Sequence, residues 1–273
     1  MKYKALALDL DGTLTDHNKN LPQKNIDAVK KAIQAGVSII LASGRPVFGI
    51  TPIAQQLNLK ELGGYILAYN GGCIINCKTG EQMAASILPQ ECIEDICTYA
   101  KENSVYAVTY SENNIVAENK EDEYVRKEAI CNNAKILEVP DIKEYVNYPV
   151  EKFLVVGEHE KLVQVQKRLI DKHGGIINAF FSESYFLEVV PADVAKDAAL
   201  DRLLNMIGIK QEELVACGDG MNDIPMLKYA GLSVAMMNAY EEVKKYADVI
   251  APSNDDCGVA DIIYNYILTQ EIE

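Results

Sequence analysis

Three nearly continuous apolar runs, at residues 3–8, 37–42 and 214–217, each break off into a short polar stretch containing glycine. Such a run marks a strand buried on both faces, as parallel strands are in α/β proteins. Helical spacing follows the first run: Pro22 suits a helix's first position, Ile26, Val29 and Ile33 recur on one face, and Gly36 stands where a helix ends. A helical stretch through Leu57, a short strand at 65–68 and the turn Asn70-Gly71-Gly72 come next. Strands alternating with helices predict a Rossmann-like, doubly wound parallel sheet.

The middle of the chain has another rhythm. Residues 83–188 read as a helix (89–103), two strands (105–110, 115–118), a helix (121–130), a strand (153–156), a helix (161–173) and two strands (176–180, 186–190). Helix followed by paired strands occurs twice, which predicts an open-faced α+β module. After Pro191 the alternation returns: a helix at 196–207, a strand at 214–217, a helix at 225–229, a strand at 232–235 and a closing strand–helix pair. The expected organisation is one α/β domain in two pieces, 1–82 and 189–273, with an α+β domain inserted at 83–188.

Composition narrows the chemistry. A net charge of −14 repels nucleic acid and anionic membrane, so neither is expected as a partner. A phosphorylated substrate would need local positive charge to overcome that field. Seven cysteines at 73, 77, 92, 97, 131, 217 and 257 show no tight pairing and argue for reduced thiols. Only His17, His159 and His173 are available, which disfavours a structural zinc site and a Ser-His-Asp mechanism. No charged-then-apolar leader opens the chain and the 3–8 run is too short to span a bilayer, so a cytoplasmic protein is expected. Oligomeric state is not legible.

Ligands of open parallel sheets sit beyond the carboxyl ends of the strands. The loops there bring Asp9, Asp11, Ser43, Asp219 and Asp223 to one rim. Asp-x-Asp-Gly alone also fits a plain β-turn. Two like charges near 4 Å repel by roughly 4 kcal/mol at an effective dielectric of about 20, so four carboxylates on one rim call for a cation. An all-oxygen ligand set selects a hard ion such as magnesium, which favours one or two carboxylates plus substrate phosphate.

Asp9-Leu10-Asp11-Gly12-Thr13, Ser43-Gly44-Arg45, Lys196 and Gly218-Asp219-Gly220-Met221-Asn222-Asp223 resemble the four ordered motifs of the haloacid-dehalogenase-like superfamily. Their order and the insertion between the second and third resemble its Cof-type sugar-phosphate phosphatases. The resemblance implies that the inserted domain is a cap and that small phosphomonoesters, sugar phosphates first, are hydrolysed. It assigns Asp9 as nucleophile and Asp11 as general acid and base. Magnesium would be held by Asp9, the Asp11 carbonyl and Asp219, with Asp223 in support. Phosphate would be bound by Ser43, Lys196, Asn222 and the backbone of Leu10, Asp11, Gly12 and Gly44.

The chain departs from the family pattern at Ala195 and Asp197, where serine and glycine are usual, which puts phosphate affinity in question. Arg45 either contacts substrate or pins its loop through a carboxylate. Asn70 reads as structural before ligand-binding, Asp255-Asp256 as a solvated turn, and Met221, Met226, Met236 and Met237 as core. Tyr106, Tyr110, Phe181 and Tyr185 are candidates for touching the leaving group or for packing the inserted domain. A phosphomutase and a catalytically silent binding module remain as alternative readings.

Overall fold

A computed structural model describes residues 2–268. Contacts divide the described residues into two units: residues 2–44, 50–84 and 195–268 form the first, and residues 45–49 and 85–194 the second.

The first unit is built on an eight-stranded sheet. Its order is Val249–Ala251, Leu232–Met236, Leu214–Gly218, Ala5–Leu8, Ser38–Ala42, Tyr65–Ala68, Cys73–Asn76 and Gln82–Ala85. The first six strands pair in parallel, and Cys73–Asn76 returns antiparallel to Tyr65–Ala68. Ala5–Leu8 is wholly buried, with alternate side chains going to opposite faces. Ala5 and Ala7 join Leu200, Leu203, Leu204 and Met226 in one core. On the sheet's flanks, helix Gln23–Gln34 packs against Ser38–Ala42 and against Gly258–Ile262. From Ala5–Leu8 the chain winds outward through Ser38–Ala42 and Tyr65–Ala68, and from Leu214–Gly218 it winds the other way. The topological switch point therefore falls between Ala5–Leu8 and Leu214–Gly218.

The expected doubly wound architecture is present, with an antiparallel extension that the alternation did not predict. The turn at residues 69–72 sends the chain straight back instead of into a crossover helix. The four-residue strands Cys73–Asn76 and Gln82–Ala85 are too short to show a period of two.

The second unit carries a six-stranded sheet in the order Ile177–Glu183, Phe186–Pro191, Phe153–Val156, Tyr106–Ser111, Asn114–Ala117, Lys135–Glu138. Only the last pair is parallel among the pairings of this sheet. Helices Gln90–Glu102 and His159–His173 pack on each other and on one sheet face, enclosing Phe153, Val155, Leu187 and Val189. Each precedes an antiparallel strand pair, the twice-used arrangement seen in the sequence. The edge strand Lys135–Glu138 and the short helix Ile142–Tyr145 were not anticipated, because both are brief and largely exposed.

Alternation puts Glu188 on the face opposite Val189, where it pairs with buried Lys152 at 3.2 Å. Glu128 accepts hydrogen bonds there from Tyr110 Oη and Asn132 Nδ2, each at 2.8 Å, and its burial pushes its carboxyl up. Of the other aromatic candidates, Tyr106 accepts from Asn119, Phe181 packs on His159 and Tyr185 stacks on Tyr124.

The unit boundaries differ from those expected. A cut after residue 188 would sever the strand Phe186–Pro191, so the second unit runs on to Val194. Residues 45–49 also group with it, because Phe48 sits against Tyr110 and a side chain at Gly49 would begin 2.5 Å from Asn132 Oδ1. No disulfide joins any of the seven cysteines. Among the described residues no helix is long and apolar enough to cross a membrane.

Candidate active site

Asp9 leaves the strand Ala5–Leu8 at the switch point, and its N–H donates to the Cys217 carbonyl of the neighbouring strand at 3.1 Å. The chain then makes one tight turn in which Leu14 N–H donates to the Asp9 and Leu10 carbonyls. Leu10 and Leu14 are fully buried, which anchors the turn and leaves only backbone groups of Leu10 to a ligand. Gly12 has φ 82°, and a side chain there would collide with the Asp219 carboxylate. The position therefore requires glycine twice, for its backbone and for the close approach. Thr13 Oγ1 donates to Asp219 Oδ1 at 2.7 Å.

Lys196 opens the helix Lys196–Ile207 with its side chain completely buried. Its ammonium lies 2.6 Å from Asp9 Oδ1 and 2.6 Å from Asp223 Oδ1. Asp223 Oδ2 accepts the Asp219 and Gly220 N–H groups, both at 2.9 Å. Asp223 thus locks the loop after Leu214–Gly218, and Gly218 makes room, since a side chain there would begin 2.5 Å from the Asp223 Cβ. Oxygens of Asp9, Asp219 and Asp223 all lie within 4.8 Å of one another.

Three carboxylates against one ammonium leave the cluster short of positive charge. Burial, then the charge of Asp223, holds the Asp9 carboxyl well above the usual carboxylate range, with Lys196 pulling the other way. Burial likewise pushes Asp219 up to about 6, against the Thr13 hydrogen bond. Burial alone would lower the Lys196 ammonium, but Asp223 and Asp9 more than reverse this and keep it charged. A divalent cation suits this all-oxygen donor set and its charge deficit.

Ser43, 3 % exposed, sits at the end of Ser38–Ala42 and donates its N–H to the Leu67 carbonyl at 2.9 Å. Asn222 is exposed and donates from Nδ2 to Asn70 Oδ1 at 3.0 Å. Asp11 is a third exposed and pairs with Lys19 at 2.7 Å. Arg45 falls in the second unit, where Nη1 donates to the Gly49 carbonyl at 3.3 Å.

Sequence reasoning gave Thr13 no role although it stood inside a quoted motif, and it passed over Lys19, for which the pattern held no signal. Met226 and Met236 are buried as expected, but Met221 and Met237 are 55 % and 56 % exposed because they follow the strands into the rim loops. Asp255 is more than a solvated turn, since its Oδ1 accepts the His17 N–H at 2.9 Å. Asp197 contributes to raising the Tyr229 phenol, behind burial and Asp201, and the charges that act most on Lys196 are Asp223 and Asp9.

The profile of the haloacid dehalogenase-like hydrolases matches residues 6–263. The chain belongs to this family. A haloacid dehalogenase-like hydrolase from Bacteroides thetaiotaomicron shares 45 % identity over 96 % of this chain and 99 % of its own, with a TM-score of 0.93. The subclass IIB sugar phosphatase BT4131 superposes with a TM-score of 0.82 at 26 % identity, covering 96 % of this chain and 98 % of that one. The 5-amino-6-(5-phospho-D-ribitylamino)uracil phosphatase YwtE of Bacillus subtilis is 28 % identical over 94 % of this chain and 96 % of its own length. These resemblances span both units, so the inserted unit is a feature shared with the relatives.

Proposed function

We propose that the chain is a magnesium-dependent phosphatase of small phosphomonoesters, acting through a phosphorylated Asp9. The observation that carries this is the setting of Asp9: it stands at the switch point, held at 2.6 Å by a buried lysine, with Asp219 and Asp223 beside it. Asp9 and Asp219 carboxylates and the Asp11 carbonyl would hold the ion. Asp223, with three hydrogen bonds on its two oxygens, would shape the site around them. Magnesium, when bound, supplies the positive charge that favours ionised Asp9 and offsets that of the phosphate.

In the first half-reaction an Asp9 carboxylate oxygen bonds to phosphorus as the ester P–O bond breaks, and Asp11 gives its proton to the leaving oxygen. In the second, Asp11 takes a proton from water as that water's oxygen bonds to phosphorus. The Asp9–phosphorus bond then breaks, freeing inorganic phosphate and restoring the carboxylate. Lys196, Ser43, Asn222 and the Gly44 N–H would bind the transferring group. The second unit would act as the cap that selects the leaving group. Sugar and polyol phosphates lead as substrates, because the named activities of BT4131 and YwtE both involve phosphate on a polyhydroxylated carbon chain. The seven thiols suit a cytoplasmic enzyme.

A phosphate-release screen over sugar phosphates, polyol phosphates and nucleotides, run with magnesium and with chelator, tests this reading. Asp9→Asn is expected to abolish turnover while leaving the fold intact, since Lys196 keeps its pair with Asp223. Full metal-dependent turnover by that variant would sink the mechanism.

A further inference from the structure

The turn after the strand Tyr65–Ala68 holds three successive residues at positive φ: Tyr69 at 54°, Asn70 at 58° and Gly71 at 100°. The first two carry side chains, which disfavour that conformation, tyrosine more than asparagine. Nor is this a relaxed surface loop, since Tyr69 and Asn70 are 7 % and 4 % exposed. Backbone of this kind persists only where its surroundings over-determine it.

Those surroundings are the candidate site. Asn70 N–H donates to the Ser43 carbonyl at 2.9 Å, and its Oδ1 accepts from Asn222 at 3.0 Å. Its amide lies 3.2 Å from where a side chain on Gly44 would begin. One residue on, a side chain at Gly71 would begin 2.9 Å from the Ala195 carbonyl and 2.5 Å from Ala199 Cβ, on the helix that Lys196 opens. The turn therefore touches the Ser43-Gly44 loop and the Asn222 loop, and it abuts the start of the Lys196 helix.

We propose that Asn70 is a positioning residue for phosphate binding, its side-chain amide holding Asn222 while its backbone N–H holds the Ser43-Gly44 loop, so that the two keep one register. This rests on the phosphatase reading and deepens it. Asn70 acts through these neighbours and does not itself need to touch the substrate. A purely structural turn would need only the left-handed backbone, which glycine adopts freely.

Asn70→Gly separates the two roles, because it keeps the backbone conformation and removes the amide. Removing one such hydrogen bond is expected to raise KM and the inhibition constant of inorganic phosphate together, by about tenfold. Calorimetric binding of inorganic phosphate, with magnesium present, gives the same readout without turnover. Asn222→Ala, at an exposed position, should reproduce the shift, and the double variant should be no worse than either single one. Unchanged phosphate affinity in folded Asn70→Gly, or losses that add in the double variant, would overturn the role of Asn70 alone. If Asn70→Gly fails to fold, an unshifted phosphate affinity in Asn222→Ala overturns it equally. A wild type that neither binds nor releases phosphate would overturn the phosphatase reading as well.

Discussion

Lys196→Met removes the one ammonium from a cluster of three carboxylates while nearly preserving side-chain length and flexibility. The Lys196 side chain is wholly buried, and its two ion pairs of 2.6 Å tie Asp9, just past the strand Ala5–Leu8, to Asp223, in the loop after Leu214–Gly218. Taking one partner out of such a buried arrangement costs about 3–5 kcal/mol, because the charges left behind are neither solvated nor paired. At ~2–4 °C per kcal/mol for a domain of this size, the melting temperature in chelator should fall by about 10 °C. Magnesium should recover part of that loss by offsetting the same carboxylates. The loss should also be smaller at about pH 6 than at about pH 8, since Asp9, already pushed up by burial, takes a proton more readily once its cation is gone. Phosphate release should drop ~10²–10³-fold, the usual consequence of removing one preorganised charge or donor. Scanning calorimetry with and without magnesium, alongside a phosphate-release assay, reads all of these. A variant that melts within about 2 °C of the wild type in chelator would show that the buried pairs do not hold the site together.

Further outcomes follow from the settings of Asp219, Gly12 and Gly36. Asp219 is raised to about 6, so its contribution to stability is full below the unfolded value of about 3.9 and is lost as pH rises through about 6, a change of about 3 kcal/mol. Because a cation needs the ionised form, the magnesium-induced rise in melting temperature should be larger at about pH 7.5 than at about pH 5; equal shifts would refute this assignment. Gly12→Ala should cost both stability and metal-dependent turnover, since it meets the Asp219 carboxylate as well as an unfavourable φ. Gly36→Ala, with φ 91° and open space around it, should cost about 1–2 kcal/mol and leave turnover intact. Melting curves and phosphate release on the two variants separate strain from collision.

Much of the first unit could be read from local pattern. The runs at 3–8, 37–42 and 214–217 are largely buried on both faces, so hydrophobicity alone marked them as parallel strands and placed Asp9, Ser43 and Asp219 at or just beyond their ends. The helix at Lys196–Ile207 and the strands Tyr65–Ala68 and Phe153–Val156 lie where apolar spacing put them. Short edge elements such as Lys135–Glu138 carry no such signal, because half-exposed side chains obey no strong period.

The amino-acid sequence by itself placed the candidate carboxylates just past strand ends, and the resemblance of its motifs singled out the lysine after the insertion. These follow from residue type and spacing, which are local. Only the tertiary structure decided how those groups share their charges. Lys196 stands between Asp9 and Asp223, Thr13 bonds to Asp219, Lys19 pairs with Asp11, and Asn70 joins Asn222 to the Ser43 loop. Most of these partners are separated by long stretches of sequence, and even those that are near, such as Lys19 and Asp11, meet only through the path of the chain. Hydrogen bonds and burial depend on distances in space, which residue order leaves open until the sheet is assembled.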